Sequence, residues 1–199
     1  MKIKYLLTLL LILFALMGIK ESPAVTIDFE TLSDSDVVTT QFAGLGIIFE
    51  NATALTAGIS LNEYEFPPHS GDNVVFDDGG PMTLTFGIPM LDFEGYFTYL
   101  TPLTLSFYDP LDNLVGTVVS DFSTNMVLSG DTGSSPNELI TFAWAPGFSS
   151  LVIEADPFGA SFTMDDLSAT PVPEPGTLLL LGSGLLGMMG YGLRWLRRN

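Results

Sequence analysis

Between Val25 and Leu167 the chain alternates short apolar runs with clusters of turn-forming residues. Leu84 and Phe86 alternate with Thr83 and Thr85, and Leu103, Leu105 and Phe107 alternate with Thr104 and Ser106. A period of two gives a strand one buried face and one wet face. On this pattern the sequence predicts strands over Val25–Phe29, Gly46–Glu50, Val74–Phe76, Met82–Phe86, Leu91–Tyr99 and Leu103–Tyr108. Further strands are predicted over Leu114–Ser120, Asn125–Leu128, Leu139–Trp144, Leu151–Ala155 and Ala160–Met164. Turn chemistry separates them at Asp77-Asp78-Gly79-Gly80-Pro81, Asp109-Pro110-Leu111-Asp112-Asn113 and Gly130-Asp131-Thr132-Gly133. No amphipathic helix of any length interrupts the series. About ten or eleven short strands at this spacing predict an all-β fold, a two-sheet antiparallel β-sandwich.

The two ends read differently. Lys2 and Lys4 precede Leu6–Met17, an uncharged and mostly apolar run. As a helix that run rises roughly 18 Å, short of a bilayer core of about 30 Å. It is expected to be a secretory signal peptide over residues 1–24, with small residues Ser22 and Ala24 placing cleavage after Ala24. The alternative is an uncleaved anchor. Beyond the predicted sandwich (25–167), residues 168–176 carry three closely spaced prolines and read as an extended linker. Residues 177–193 are uncharged and reach roughly 26 Å as a helix, the short edge of the transmembrane range. The tail 194–199 follows, where Arg194, Arg197 and Arg198 act as a membrane stop held on the cytoplasmic side. Both ends then describe one topology, with the middle exported through the inner membrane.

Charge sharpens this division. All six Lys and Arg lie outside Val25–Pro173, as do only Glu21 and Glu174 of the 23 acidic residues, which leaves 21 carboxylates in that stretch. Such a polyanion excludes nucleic-acid binding, which relies on Lys and Arg displacing counterions, and electrostatic docking on anionic lipid. It also excludes Lys or Arg salt bridges within the stretch, so its carboxylates are solvated, hydrogen-bonded to backbone N–H, or held by a metal. The chain has no Cys, which removes disulfides, zinc–thiolate sites and a Cys nucleophile.

Val172-Pro173-Glu174-Pro175, the Gly-interrupted apolar segment and the terminal Arg cluster together resemble a PEP-CTERM sorting signal. The resemblance implies a bacterial protein recognised by a membrane exosortase, cut near the Pro-Glu-Pro triplet and delivered to the cell surface or extracellular matrix. Members are associated with exopolysaccharide and with biofilm or floc formation. A permanent single-span anchor is the alternative from the residues alone. The middle resembles the single β-sandwich module such proteins often carry, similar to jelly-roll carbohydrate-binding modules. That likeness is carried by Ile27-Asp28-Phe29-Glu30, Gly44-Leu45-Gly46-Ile47-Ile48-Phe49, His69-Ser70-Gly71-Asp72-Asn73-Val74-Val75 and Phe162-Thr163-Met164-Asp165-Asp166-Leu167.

The resemblance implies a structural Ca²⁺ where the first and last strands meet, with Asp28, Glu30, Asp72, Asp165 and Asp166 as ligands. Clustered carboxylates beside a Gly-Asp loop suit a cation that takes six to eight oxygens. The plainer reading makes Asp165-Asp166 a solvated strand end and Asp72 a turn cap. For carbohydrate, Tyr64 and Phe66 in a Pro-flanked loop are the candidate platforms, whereas Phe107 and Trp144 are expected in the core. His69 is the only histidine; without a Gly-x-Ser-x-Gly turn before a helix it reads as a loop residue. No catalytic residue is assigned and the chain is not expected to be an enzyme. The reading is therefore an exported surface or matrix protein, structural or adhesive, with exosortase and exopolysaccharide as partners. A dedicated carbohydrate-binding module is the alternative. A secreted glycoside hydrolase or lyase is the second, because two carboxylates about 5–9.5 Å apart suffice for that chemistry.

Overall fold

The computed structural model describes residues 22–173 and Gly184. Residues 1–21 of the expected signal peptide, Glu174, Pro175, Arg194, Arg197 and Arg198 lie outside the described residues, as does the apolar segment 177–193 apart from Gly184. Among the described residues no helix is long and apolar enough to cross a membrane. Pro23–Val172 form one compact unit, and its hydrophobic core is built from residues between Ile27 and Ala169.

The strands in chain order are β1 (Val25–Ile27), β2 (Val37–Val38), β3 (Ile47–Glu50), β4 (Ala52–Thr56) and β5 (Asn73–Asp78), then β6 (Met82–Tyr99), β7 (Thr104–Tyr108), β8 (Leu114–Val119), β9 (Glu138–Glu154) and β10 (Gly159–Pro171). All their pairings are antiparallel. The start of β6 pairs with β3 and with the end of β9, whereas from Met90 onward β6 pairs with β10 and with the start of β9. Both long strands therefore pass from one layer to the other. The first layer runs β2-β4-β5-β10-β6-β9, with β1 also on β10; the second runs β3-β6-β9-β7-β8. The bend falls at Gly87-Ile88-Pro89 in β6 and Pro146-Gly147 in β9, where the register breaks. Proline has no N–H for the ladder, and Gly147 sits in the left-handed region at φ 91.

Between the layers lies an aromatic core. Phe93 from the first layer meets Phe107 from the second edge to face at 5.8 Å, and Phe142 stacks on Phe107 at 4.0 Å. Phe29, Phe42 and Phe49 close one end as a mutual edge-to-face trio. Each such ring contributes about 2–3 kcal/mol by leaving water.

The sandwich and the predicted alternation agree with the sequence, and four details differ. Met82–Phe86 with Leu91–Tyr99, and Leu139–Trp144 with Leu151–Ala155, are each one bent strand rather than two. Asn125–Leu128 is not a strand. It is a loop, fixed by the fully buried Asn125 amide, which accepts from Tyr99 N at 2.7 Å and donates to Phe97 O at 2.8 Å. β2 and β4 have no counterparts in the predicted set, because Val37-Val38 is only two residues long and Ala52-Thr53-Ala54 buries little side chain. Finally, β10 runs on to Pro171 and takes in residues expected to begin the linker.

Candidate functional site

The first strand, the last strand and the loop between them converge on residues 69–73. Ile27 and Phe29 are buried while Asp28 and Glu30 are exposed, as the alternation requires. Glu30 Oε1 accepts from Asp72 N at 3.1 Å and from Asn73 N at 2.8 Å. Gly71 makes room for this. A Cβ there would lie 2.2 Å from Glu30 Cδ, and its φ of +53 favours glycine. On β10, Asp165 Oδ2 accepts from His69 N at 2.8 Å and Ser70 N at 2.9 Å, while its Oδ1 accepts from Asp166 N at 2.7 Å. Asp166 accepts from Ser70 Oγ at 2.9 Å and lies 2.5 Å from His69 Nδ1. The His69 ring stacks on Tyr96 at 3.5 Å and 11°. Burial pushes the Asp165 carboxyl up to about 6, with the adjacent Asp166 charge acting the same way against three N–H bonds.

Four of the five residues expected to hold calcium thus meet at one loop, where Glu30, Asp165 and Asp166 act as acceptors and Asp72 contributes its backbone N–H. Asp28 instead accepts from Glu30 N at 3.2 Å. As arranged, this donor set does not fit a calcium shell. The oxygens of Asp165 and Asp166 are engaged by N–H, hydroxyl and imidazole groups, and among the described residues no three acidic or histidine side chains are grouped to hold a metal. The same substitution of N–H for cation recurs elsewhere. Asp77, buried on β5, accepts from Ser161 N, Phe162 N and Ser161 Oγ at 2.6–2.9 Å, and burial raises its pKa. Glu65 accepts from Leu128 N and from the Ser129 hydroxyl and N–H, which hold its pKa down, the hydroxyl most.

The two outer faces differ in kind. On the first layer, Asp92, Glu94, Tyr96 and Asp165 occupy outward positions, Tyr96 and Asp165 against His69 in the loop 57–73, and Thr98 against Asn137 in the loop 121–137. Those two loops are joined to each other by Val127 N to Glu65 O at 3.2 Å and by Asn137 Nδ2 to Pro67 O at 3.1 Å. On the second layer, the register aligns Ile48, Thr85, Ser150 and Tyr108 in one outward row and Thr83, Val152, Ser106 and Thr117 in the next. Glu50 on β3 and Glu154 at the end of β9 are the carboxylates on those strands' outward positions, both at the margin. The centre of this face is hydroxyl and aliphatic, without charge.

Of the predicted sugar platforms, Tyr64 is 74% exposed and Phe66 is half-buried. Leu128, itself 75% exposed, is tied to the residue after Tyr64, because the Glu65 carboxylate accepts from Leu128 N at 2.9 Å. The sequence reading missed the anchoring role of His69. A lone histidine in a Pro-Pro-His-Ser loop gives no signal for it until Tyr96 and Asp166 are placed alongside.

At the C-terminal end, Val172 N donates to Pro89 O at 2.8 Å and Pro173 is exposed. Residues 171–198 match the family described as the PEP-CTERM protein-sorting motif. The chain carries a PEP-CTERM sorting motif. It implies an exported protein, sorted at the membrane and processed by an exosortase, and it opens on the residue where β10 ends. No curated protein matches the chain. Among solved structures, the chain is similar to the K2 cleaved adhesin domain of Lys-gingipain, at 14% identity and TM-score 0.45, covering 74% of this chain and 99% of that one. It is similar to a DUF4465 family protein from Bacteroides caccae, at 10% identity and TM-score 0.44, covering 75% and 100%. It is also similar to the CBM22-1 xylan-binding domain from Paenibacillus barcinonensis Xyn10C, at 13% identity and TM-score 0.39, covering 77% and 97%.

Proposed function

We propose that the protein is an adhesive or structural component of the cell surface or extracellular matrix that contacts uncharged exopolysaccharide through the outer face of the second layer. The charge-free centre of that face carries this reading. A polyanion repels anionic polymers, but an uncharged glycan laid across Thr83, Thr85 and Ser150 meets hydroxyl partners and desolvates no carboxylate. Ile48, Val152 and the Tyr108 ring offer apolar surface to the C–H faces of pyranose rings. The domain is read as binding rather than catalytic, and its biofilm role follows from this contact.

A glycan array probed with the Pro23–Val172 unit, in EDTA and in calcium, tests the reading. Binding to uncharged glycans that is indifferent to calcium and to salt is expected. Binding confined to anionic glycans in calcium would replace direct contact by cation bridging. Binding abolished by Tyr64→Ala, with the sheet face irrelevant, would favour a dedicated carbohydrate-binding site at Tyr64.

A further inference from the structure

The second layer ends on β8, and that edge is open. β8 pairs with β7 on one side, and among the described residues no backbone hydrogen bond reaches its other side. The opposite edge of the same layer is closed differently: Ile47 N donates to Phe42 O and Phe49 N to Thr39 O, so β3 is partnered by its own upstream chain. An open edge presents a row of N–H and C=O groups to any strand that fits.

The sequence of β8 determines what fits. Leu114-Val115-Gly116-Thr117-Val118-Val119 bears no charge, in a unit whose carboxylates have no Lys or Arg to balance them. A partner strand that is also uncharged is present in every other copy of the chain. The register shift between Phe107 and Tyr108 makes Val115 a bulge, which leaves Gly116–Val119 as the regular edge. Two antiparallel copies side by side are related by a two-fold axis normal to the sheet, so facing residues must point to the same side. Thr117 points outward beside Ser106, and Gly116 and Val118 point inward beside Phe107 and Leu105. Two registers within the regular edge satisfy this, centred on Thr117 or on Val118. The first faces each inward Val118 with the small Gly116 rather than with another Val118, and has no carboxylate in the paired stretch.

We propose that two copies of this protein associate through antiparallel pairing of their β8 edges, centred on Thr117. The two second layers then form one continuous sheet, and the charge-free face doubles in width. The pairing does not depend on glycan binding. It is weak, because the edge is short, and it strengthens with ionic strength as the repulsion between two polyanions is screened.

The chain's lack of Cys makes a direct test available. Thr117→Cys in the Pro23–Val172 unit would place two thiols across the axis at about 4.5–5.5 Å between Cα atoms, within the span of a disulfide. Under mild oxidation this variant is expected to form linked dimer about tenfold or more faster than two exposed controls, Thr85→Cys on the same face and Thr141→Cys on the free edge of β9. Sedimentation of the unmodified unit should show dimer increasing from about 0.01 M to about 0.15 M salt. Thr117→Glu, which opposes two carboxylates, should weaken that dimer roughly fivefold while leaving the melting temperature unchanged. Cross-linking of Thr117→Cys no faster than the controls would overturn the proposal, as would a dimer that Thr117→Glu leaves intact or a unit monomeric under every condition.

Discussion

Asp77 shows how a carboxylate is accommodated in a domain without Lys or Arg. Its two oxygens accept three hydrogen bonds from Ser161 and Phe162, so the loop opening β10 is attached to β5 by an anion rather than by a ladder. Asp77→Ala would leave those buried donors unpaired and should destabilise the unit by about 3 kcal/mol in urea unfolding. Protonation follows the same residues. An acid whose folded-state pKa lies above its unfolded value holds its proton more tightly in the fold. Its contribution is therefore complete below the unfolded value near 3.8 and is lost as pH rises through the folded value, about 6 for Asp165. Asp77 is shifted in the same direction by burial. Asp34, Glu65 and Asp109 are shifted down, chiefly by hydrogen bonds from Ser60, Ser129 and Asn113, and lose their contribution only as pH falls through their lower values. Stability should therefore peak at mildly acidic pH and decline toward neutrality. Urea midpoints across a pH series measure this, and a midpoint that rises steadily from about pH 5 to about pH 8 would contradict it.

At the scale of elements, what the sequence makes legible is side-chain periodicity, and what it hides is where strands turn. The alternation of Leu84 and Phe86 with Thr83 and Thr85 shows which face is buried. It carries no sign that β6 continues through Gly87-Ile88-Pro89 into a second layer, because a proline and a glycine mark a turn and a bend alike. Ala52-Thr53-Ala54 lies below any hydrophobic threshold although Ala52 and Ala54 are buried, since it packs through closeness rather than bulk. Conversely, Asn125-Met126-Val127-Leu128 has apolar content enough for a strand, but its Asn125 side chain supplies the hydrogen bonds that a strand's backbone would make. Asn125→Ala should cost about 2–3 kcal/mol by leaving Tyr99 N and Phe97 O unpaired. Gly147→Ala should cost at least about 1 kcal/mol through its left-handed φ, and through a Cβ placed 2.5 Å from Val172 Cγ2. Thermal unfolding of both variants checks this, and a neutral Gly147→Ala would remove the bend from the account. The convergence of Asp28-Phe29-Glu30, His69-Ser70-Gly71 and Asp165-Asp166 was legible as sequence motifs. That they meet backbone N–H groups was not, because spacing along the chain does not record which acceptor lies nearest.

Within the Pro23–Val172 unit, carboxylates sit on loops, on margins and on the first layer, while the centre of the second layer's outer face is left neutral. Long-range repulsion among them remains. The melting temperature of the Pro23–Val172 unit should rise with ionic strength. At matched ionic strength, calcium should leave it within about 2 °C of its value in EDTA, because a cation stabilises only where the native state binds it. A larger calcium-specific rise would mean that the contacts of Glu30, Asp165 and Asp166 with residues 69–73 open to admit the ion. The central claim is that the neutral face makes the contact with polysaccharide. Its most direct test is affinity electrophoresis of the unit in gels containing an uncharged bacterial polysaccharide, comparing the unmodified protein with Thr85→Asp and with Tyr64→Ala. Retardation that Thr85→Asp abolishes and Tyr64→Ala leaves intact is the predicted result. Retardation unchanged by Thr85→Asp would contradict the account.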